Sequence, residues 1–186
     1  NFSTFSRLQS HYEKNFELIN FKNGDSFLDA ACGYGREINF LCNKFNDSKV
    51  DAFDIDNIID TTKLIFSDKA NIFEGDLTDL MFLDKLIKSK RYNWVIVSHA
   101  LSSIMGKNID STISLRKNII KKLCELSING LIILENFPDN DYSLKIDNSN
   151  RAVFNYNLSD SLNNLNEGRL LLSNIDKSIA YIFIKN

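Results

Sequence analysis

Residues suited to ligand binding are concentrated in one glycine-containing segment. Residues 29–35 read DAACGYG and overlap the end of an apolar run over 26–31. Glycine lets a backbone turn sharply and lets a ligand approach the main chain closely. A helix that starts here points its free N–H groups and the positive end of its dipole at the same place, which suits a carboxylate or a phosphate. The segment therefore predicts a binding loop, although a tight strand–helix connection without a ligand would have the same glycines.

Polar residues also follow three further apolar runs. Asp54 lies near the end of the run 50–55, Asp76 follows 71–74, and Ser98 and His99 follow 94–97. Because the carboxyl ends of parallel strands meet at one edge of a sheet, we expect these groups to surround the loop. An acidic residue such as Asp54, at the end of the second strand, is placed to accept hydrogen bonds from ribose hydroxyls.

Alternating strand and helix patterns position these residues. Strands are predicted at 26–31, 50–55, 71–74, 94–97 and 131–134, and helices at 2–20, 36–45, 57–67, 80–89 and 112–126, the last capped by Asn129 and Gly130. After Pro138 we predict a polar loop over 139–150, then strands at 152–158, 169–173 and 179–184 without a clear helix. Five βα repeats predict an α/β fold with a three-layer, Rossmann-like sheet that is mostly parallel and has antiparallel C-terminal strands.

The composition limits the function classes. The 186 residues predict a single domain over 1–186, with an N-terminal helix or lid (1–25), a ligand-binding part (26–136) and a β-rich C-terminal part (137–186). A net charge of −2 lacks the basic footprint of a nucleic-acid binder, and no apolar run approaches the roughly 18 residues of a membrane span. Three cysteines without a C-x-x-C pair favour a reducing cytoplasm and predict no structural metal.

Five segments carry a resemblance to a known family. The segments FLDAACGYGRE, VDAFDID, FEGDLTDL, YNWVIVSHAL and INGLIILEN resemble class I S-adenosylmethionine-dependent methyltransferases over roughly residues 26–136. Two departures are mild: Ala31 stands at the first glycine position, and Asn93 stands where Asp often opens the fourth strand. The resemblance implies S-adenosyl-L-methionine as methyl donor and S-adenosyl-L-homocysteine as product. A dinucleotide site is disfavoured, because Ile38 stands where that fingerprint needs a small residue.

The resemblance also implies a set of cofactor contacts. The loop backbone would hold the methionine part, Asp54 the ribose hydroxyls, and Asp76 the adenine amino group. Arg36 lies at a helix N-terminus, where the dipole disfavours a cation, and this suggests a nearby anion such as the cofactor carboxylate. The predicted cofactor-binding residues are Tyr12, Ala31, Cys32, Gly33, Gly35, Arg36, Asp54, Ile55, Asp76, Leu77 and Ser98.

His99 is the candidate catalytic residue. Methyl transfer to a hydroxyl or amine needs a proton acceptor, and His is well suited to that near neutral pH. We therefore predict that His99 is a general base or orients the acceptor, the alternative being a histidine hydrogen-bonded at a strand end. His11 is expected to be structural. Glu135 and Asn136 are equally compatible with an acceptor contact and with a polar strand end.

The acceptor class is the most open part of the prediction. The residues after the fourth strand read SHAL and lack the Asn/Asp-Pro-Pro-aromatic stretch of DNA and RNA amino-methyltransferases. The mild charge and short chain favour a small-molecule methyltransferase acting as a monomer or homodimer in the cytoplasm. A methyltransferase acting on RNA or protein, and a non-catalytic binding or scaffold protein, remain the alternatives.

Overall fold

A computed structural model describes residues 7–136, 145–146, 152–154, 156–165 and 168–186 of the chain. The strands are β1 (Ser26–Ala30), β2 (Lys49–Asp54), β3 (Asn71–Glu74), β4 (Tyr92–Ser98), β5 (Ser127–Asn136), β6 (Lys145–Ile146), β7 (Ala152–Val153), β8 (Gly168–Ile175) and β9 (Ser178–Lys185). The helices are α1 (Arg7–Lys14), α2 (Arg36–Lys44), α3 (Asp56–Phe66), α4 (Leu80–Ser89), α5 (Ile109–Leu126) and α6 (Ser159–Asn163). A short 3₁₀ turn covers Leu101–Ser103.

One seven-stranded sheet organises the fold. Its order is β3-β2-β1-β4-β5-β9-β8, and the strands β1 to β5 pair in parallel. The strand β9 pairs antiparallel with both β5 and β8. This confirms the predicted α/β class with a mostly parallel sheet and antiparallel C-terminal strands. The register aligns Ala30 with both Phe53 and Val97, so the loop after β1 starts level with the ends of β2 and β4.

Apolar side chains cover both faces of the sheet, as a largely parallel sheet requires. Helices α1, α2 and α3 cover one face, where Phe27 and Ile96 are buried, and α4 and α5 cover the other, where Leu28 and Val95 are buried. Alternate residues of β1 and β4 thus pack into two separate hydrophobic cores, one on each face of the sheet. This two-sided burial explains why these strands read as unbroken apolar runs.

The junction between α5 and β5 differs from the sequence prediction. Asn129 and Gly130 do not end a helix; they lie within β5, which starts at Ser127 directly after α5. Gly130 is needed there for packing, because a Cβ would lie 2.4 Å from the Phe183 carbonyl oxygen and 2.8 Å from the Trp94 ring.

The start of α5 and the C-terminal region also differ from expectation. Helix α5 begins three residues earlier than predicted, because Asn108 and Ser111 form a reciprocal capping box. The C-terminal part contains the helix α6 between the predicted strands 152–158 and 169–173, where no helix was expected, and β7 covers only two residues. Strands β8 and β9 form an antiparallel hairpin, with Asp176 and Lys177 as its turn. Most of the predicted loop 139–150 lies outside the described residues. Across the described ranges, no helix is both long and apolar enough to cross a membrane.

Candidate active site

The loop between β1 and α2 alternates left-handed residues with ordinary ones. Ala31, Gly33 and Gly35 have φ angles of 60°, 53° and 76°. Glycine is favoured at positions 33 and 35 for different physical reasons. A Cβ on Gly35 would lie 2.5 Å from the ring of Phe66, so this glycine is required for packing α2 against α3. A Cβ on Gly33 would meet nothing within 4 Å, so the backbone there faces open space.

Asp54 fastens this loop to the end of β2. Its Oδ2 accepts the Gly33 N–H at 2.7 Å, and its Oδ1 accepts the Ile55 N–H at 2.8 Å. Thr62 of α3 donates its hydroxyl to the Gly33 carbonyl oxygen at 2.6 Å. A carboxylate oxygen has two lone pairs, so Asp54 can still accept hydrogen bonds from a ligand. Gly33, Cys32 and Asp54 are therefore brought together as predicted, and Thr62 is a supporting residue that the sequence did not reveal.

A buried carboxyl group lies beneath the loop. Asp29 of β1 is 0% exposed, and neither carboxylate oxygen has a hydrogen-bond partner in the part of the chain that the structure describes. Burial raises the pKa of Asp29 well above its usual range, and the nearby carboxylates of Glu37 and Asp54 add to the effect. A buried polar group without a partner is costly, so its presence indicates a missing donor. The sequence signal for this group is an acid inside the apolar run 26–31.

Glu37 places a second carboxyl group near Asp29. It is buried in the first turn of α2, and its Oε1 accepts the Ser98 hydroxyl at 3.3 Å. Burial raises the pKa of Glu37, whereas the exposed Arg36 beside it acts in the opposite direction. Burial and the Asp29 carboxylate also raise the pKa of the Cys32 thiol, so that thiol is not a nucleophile.

His99 lies at the end of β4 in a left-handed conformation, with a φ of 53°. The guanidinium of Arg7, from α1, donates a hydrogen bond to the His99 imidazole and lies 3.4 Å from Asn136 Oδ1. Arg has only donors, so the imidazole must be neutral and use a ring-nitrogen lone pair for this contact. Burial and the positive charges of Arg7 and Arg36 lower the pKa of His99 to about 3. Arg7 had no distinguishing sequence signal.

Helix α1 is held in place by His11. The His11 Nδ1 lies 3.0 Å from the Ser173 hydroxyl and the Nε2 lies 2.9 Å from the Ser178 hydroxyl. Burial, followed by the charges of Lys14 and Arg7, lowers the pKa of His11 to about 4. This geometry supports the structural role expected for His11.

The neighbouring Tyr12 belongs to an aromatic cluster. Its ring stacks on Phe21 at 5.2 Å and contacts the rings of Phe40 and Phe45 at 5.7 Å. The side chain of α1 that reaches His99 is therefore Arg7, and the cofactor contact of Tyr12 stays a prediction.

The end of β3 lies against the end of β2. The Gly75 N–H donates to the Asp54 carbonyl oxygen at 3.0 Å. Asp76 is exposed, and its Oδ1 accepts the backbone N–H and the hydroxyl of Thr78 at 2.8 and 2.7 Å. Ile55 is 45% exposed and Leu77 is buried. An exposed carboxylate and an exposed apolar side chain thus flank one surface, and their adenine contacts stay predictions.

Glu135 lies at the end of β5, under the turn that follows β4. It is 4% exposed, and its Oε1 accepts the Ser102 N–H at 3.3 Å. Its Oε2 has no hydrogen-bond partner among the described residues. Burial raises the pKa of Glu135 to about 7, against the opposing effects of hydrogen bonding from the Ser102 hydroxyl and N–H and of the Arg116 cation.

Arg116 of α5 fixes the turn over Glu135. It is 1% exposed and donates to the carbonyl oxygens of Ser102 at 2.9 Å and Ile104 at 2.8 Å. It also donates to the Phe154 carbonyl oxygen and lies 5.6 Å from the Tyr156 ring centre. Arginine in a helix is ordinarily exposed, so the burial of Arg116 could not be predicted from the sequence.

An open groove of about 1020 Å³ lies elsewhere, at the amino ends of β2 and β3. Its buried carboxylate, Asp51, already accepts hydrogen bonds from Lys90 at 2.7 Å and the Tyr92 hydroxyl at 2.8 Å. Two carboxyl groups with unmet hydrogen bonds among the described residues, those of Asp29 and Glu135, are at the opposite edge of the sheet. We therefore place the candidate site at the carboxyl edge.

Several solved structures with the same fold are methyltransferases. An O-methyltransferase family protein from Burkholderia thailandensis has a TM-score of 0.71 at 11% identity, covering 96% of this chain and 57% of that one. Human N-acetylserotonin methyltransferase in complex with S-adenosylmethionine has a TM-score of 0.64 at 14% identity, covering 96% and 54%. A TehB-like S-adenosylmethionine-dependent methyltransferase from Corynebacterium glutamicum has a TM-score of 0.60 at 17% identity, covering 93% and 86%.

These similarities establish the fold. The chain has the class I S-adenosylmethionine-dependent methyltransferase fold, and it spans a little over half the length of the first two structures. No protein-family model matches the chain, and no curated protein matches it.

Proposed function

We propose that this protein binds S-adenosylmethionine at the carboxyl edge of β1, β2 and β4 and transfers its methyl group to a small-molecule acceptor. The observation that carries the proposal is Asp29, a fully buried carboxyl group without a hydrogen-bond partner among the described residues, under a loop whose Gly33 faces open space. A ligand with an ammonium group and an extended polar chain meets both requirements. The α-ammonium of the methionine part is such a group.

The other residues of this edge fit the remaining parts of the cofactor. The backbone at 31–35 would hold the methionine chain, with Arg36 near its carboxylate and Ser98 near the sulfur. Asp54 would accept the ribose hydroxyls, while Ile55, Asp76 and Leu77 would contact the adenine. Tyr12 would close the methionine end.

Methyl transfer places modest demands on the protein. The bound cofactor supplies a methyl group activated by positive sulfur, and the sulfur leaves as a neutral thioether. The chain's own task is to align the acceptor behind the methyl group and to exclude water. His99 is proposed to orient the acceptor, since its imidazole and the Arg7 guanidinium stand together at the end of β4.

The small-molecule assignment has two supports. The structures with the same fold include O-methyltransferase family proteins, and the net charge of −2 does not favour a polyanionic acceptor. We also propose a cytoplasmic setting, in which Cys32, Cys42 and Cys124 stay reduced and form no disulfide with one another.

Calorimetry with S-adenosylmethionine and S-adenosylhomocysteine tests the proposal. We expect both to bind, and Asp54→Asn to weaken both by about tenfold or more, because it removes a charged hydrogen-bond acceptor. Asp68→Asn, at an exposed aspartate, is the matched control and should leave both affinities unchanged. Absence of binding by the wild-type protein would refute the proposed function. Binding without methylation of any small phenol, carboxylate or amine would indicate a non-catalytic relative.

A further inference from the structure

The topology determines which strand ends face the acceptor. If Asp54 and Asp76 hold the nucleoside part over β2 and β3, the methionine part and its sulfur extend across β1 toward β4, since the sheet order is β3-β2-β1-β4-β5. The next strand end is that of β5. Ser98 pairs with Leu134, so Glu135 lies one residue beyond the last parallel pair.

Glu135 is the carboxyl group at this position with an unmet hydrogen bond. Its Oε1 is used by the Ser102 N–H, and its Oε2 has no partner among the described residues. The buried Arg116 is not its hydrogen-bond donor, because that guanidinium donates to the carbonyl oxygens of Ser102, Ile104 and Phe154. A carboxylate oxygen kept out of water and without a donor is suited to accept a hydrogen bond, and then a proton, from a ligand.

His99 is less suited to the same step. Its imidazole already accepts a hydrogen bond from Arg7, so its lone pair is not available while that contact lasts. The charges of Arg7 and Arg36, together with burial, further disfavour a protonated imidazole. A base at this site must therefore be a different group, or Arg7 must first move away.

We infer that Glu135 is the catalytic base and that the acceptor carries a weakly acidic hydroxyl of the phenol kind. The inference rests on the proposed function. The acceptor O–H bond breaks and its proton passes to Glu135. The oxygen forms a bond to the methyl carbon, and the carbon–sulfur bond breaks with its electron pair left on sulfur.

The charges around Glu135 favour a neutral hydroxyl over other nucleophiles. Glu135 interacts electrostatically with the cations Arg7 of α1 and Arg116 of α5 and with the phenol group of Tyr181 of β9. An ammonium acceptor would meet these two cations and the positive sulfur of the cofactor, which disfavour it. A carboxylate acceptor would meet Glu135 as a like charge and has no proton to give.

Binding of phenol and anisole to the complex with S-adenosylhomocysteine tests the inference without turnover. Phenol can donate a hydrogen bond to Glu135, whereas its methyl ether cannot. Because the pKa of Glu135 is about 7, phenol affinity should rise about tenfold between about pH 6 and about pH 8, where phenol itself stays neutral. Anisole affinity should not change with pH.

Glu135→Gln should abolish the pH response of phenol binding, because the amide does not titrate. It should also lower the rate of phenol methylation by about 10²-fold or more. Glu17→Gln, at an exposed glutamate, is the matched control and should behave as the wild type. Unchanged S-adenosylhomocysteine affinity in Glu135→Gln shows that the variant is folded.

Three results would overturn the inference. They are a flat pH response of phenol binding in the wild-type protein, an unaltered response in Glu135→Gln, and no phenol binding to a protein that does bind S-adenosylhomocysteine. Failure of S-adenosylhomocysteine itself to bind is a different result, since it removes the proposed function on which the inference rests.

Discussion

Cofactor binding should be coupled to the release of a proton from Asp29. Burial and the Glu37 and Asp54 carboxylates raise the pKa of Asp29, so the free protein keeps this carboxyl protonated at pH values where an exposed aspartate is ionised. A bound ammonium group favours the ionised form. Binding of S-adenosylhomocysteine should therefore release up to about one proton, and affinity should fall by about tenfold per pH unit below the raised pKa.

The size of the Asp29 contribution follows from the unmet hydrogen bonds. Both of its oxygens lack a partner among the described residues, and a hydrogen bond to a charged group is worth about 1.5–3 kcal/mol. Replacing Asp29 with Asn should therefore weaken S-adenosylhomocysteine binding by about 10- to 150-fold above the raised pKa, and by less below it. Titration calorimetry in two buffers of different ionisation enthalpy measures the affinity and the proton count together.

Two further variants separate the possible sources of the proton. Glu37→Gln should reduce the proton release only in part, since Asp29 still titrates, whereas Asp68→Asn should leave it unchanged because Asp68 is exposed. Binding of S-adenosylhomocysteine by the wild-type protein without proton exchange would refute the reasoning. Unchanged affinity in Asp29→Asn would refute it as well.

Three other predictions concern stability. Burial lowers the pKa of His11 to about 4 in the folded protein, so on acidification the unfolded chain takes up a proton at a higher pH than the folded protein does. The free energy of unfolding should therefore fall by about 2 kcal/mol between about pH 7 and about pH 5. His11→Gln should remove this part of the pH dependence in urea titrations, and an unaltered dependence would contradict it. Gly35→Ala should lower the free energy of unfolding by about 2–5 kcal/mol, since it adds a collision with Phe66 to the strain of a left-handed backbone. Gly33→Ala should lower it by about 1–2 kcal/mol, because it adds the strain alone. Equal losses in the two variants would contradict the packing role of Gly35. Arg116→Met should lower the unfolding free energy by about 3 kcal/mol or more, because it leaves buried carbonyl oxygens unpaired, and a loss below about 1 kcal/mol would argue against it.

Local patterns were enough to predict the parallel half of the fold. The strands at the centre of the sheet are apolar on both faces, and each is followed by a helix with an apolar face, so the run around Trp94 was recognisable without the structure. The failures have long-range causes. Gly130 looked like a helix cap because its collision partners, Trp94 and the Phe183 carbonyl, are distant in sequence. The brief helix α6 is held by buried Leu162 and had no periodic pattern long enough to detect.

The site was predictable where strand order places residues together. The structure joins Asp54 to Gly33, as the pattern of strand ends indicated, and brings His99 next to Asn136 through Arg7. The contribution of Arg7 depends on how α1 docks, which no local spacing encodes. Asp29 and Glu135 stand out because both Asp29 oxygens and the Glu135 Oε2 lack hydrogen-bond partners among the described residues, and that property exists only after folding.

The hydrogen bonds between His11 and the serines of the β8–β9 hairpin have a consequence for biosynthesis. Helix α1 leaves the ribosome before the β8–β9 hairpin, because its anchoring hydroxyls, on Ser173 and Ser178, are made more than 160 residues later. The hydrogen bonds of His11 that hold α1, the helix carrying Arg7, can therefore form only when the hairpin has been translated. We expect nascent chains that stop before residue 168 to have the loop between β1 and α2 but a loosely attached helix α1, exposed to proteases and chaperones until β8 and β9 emerge.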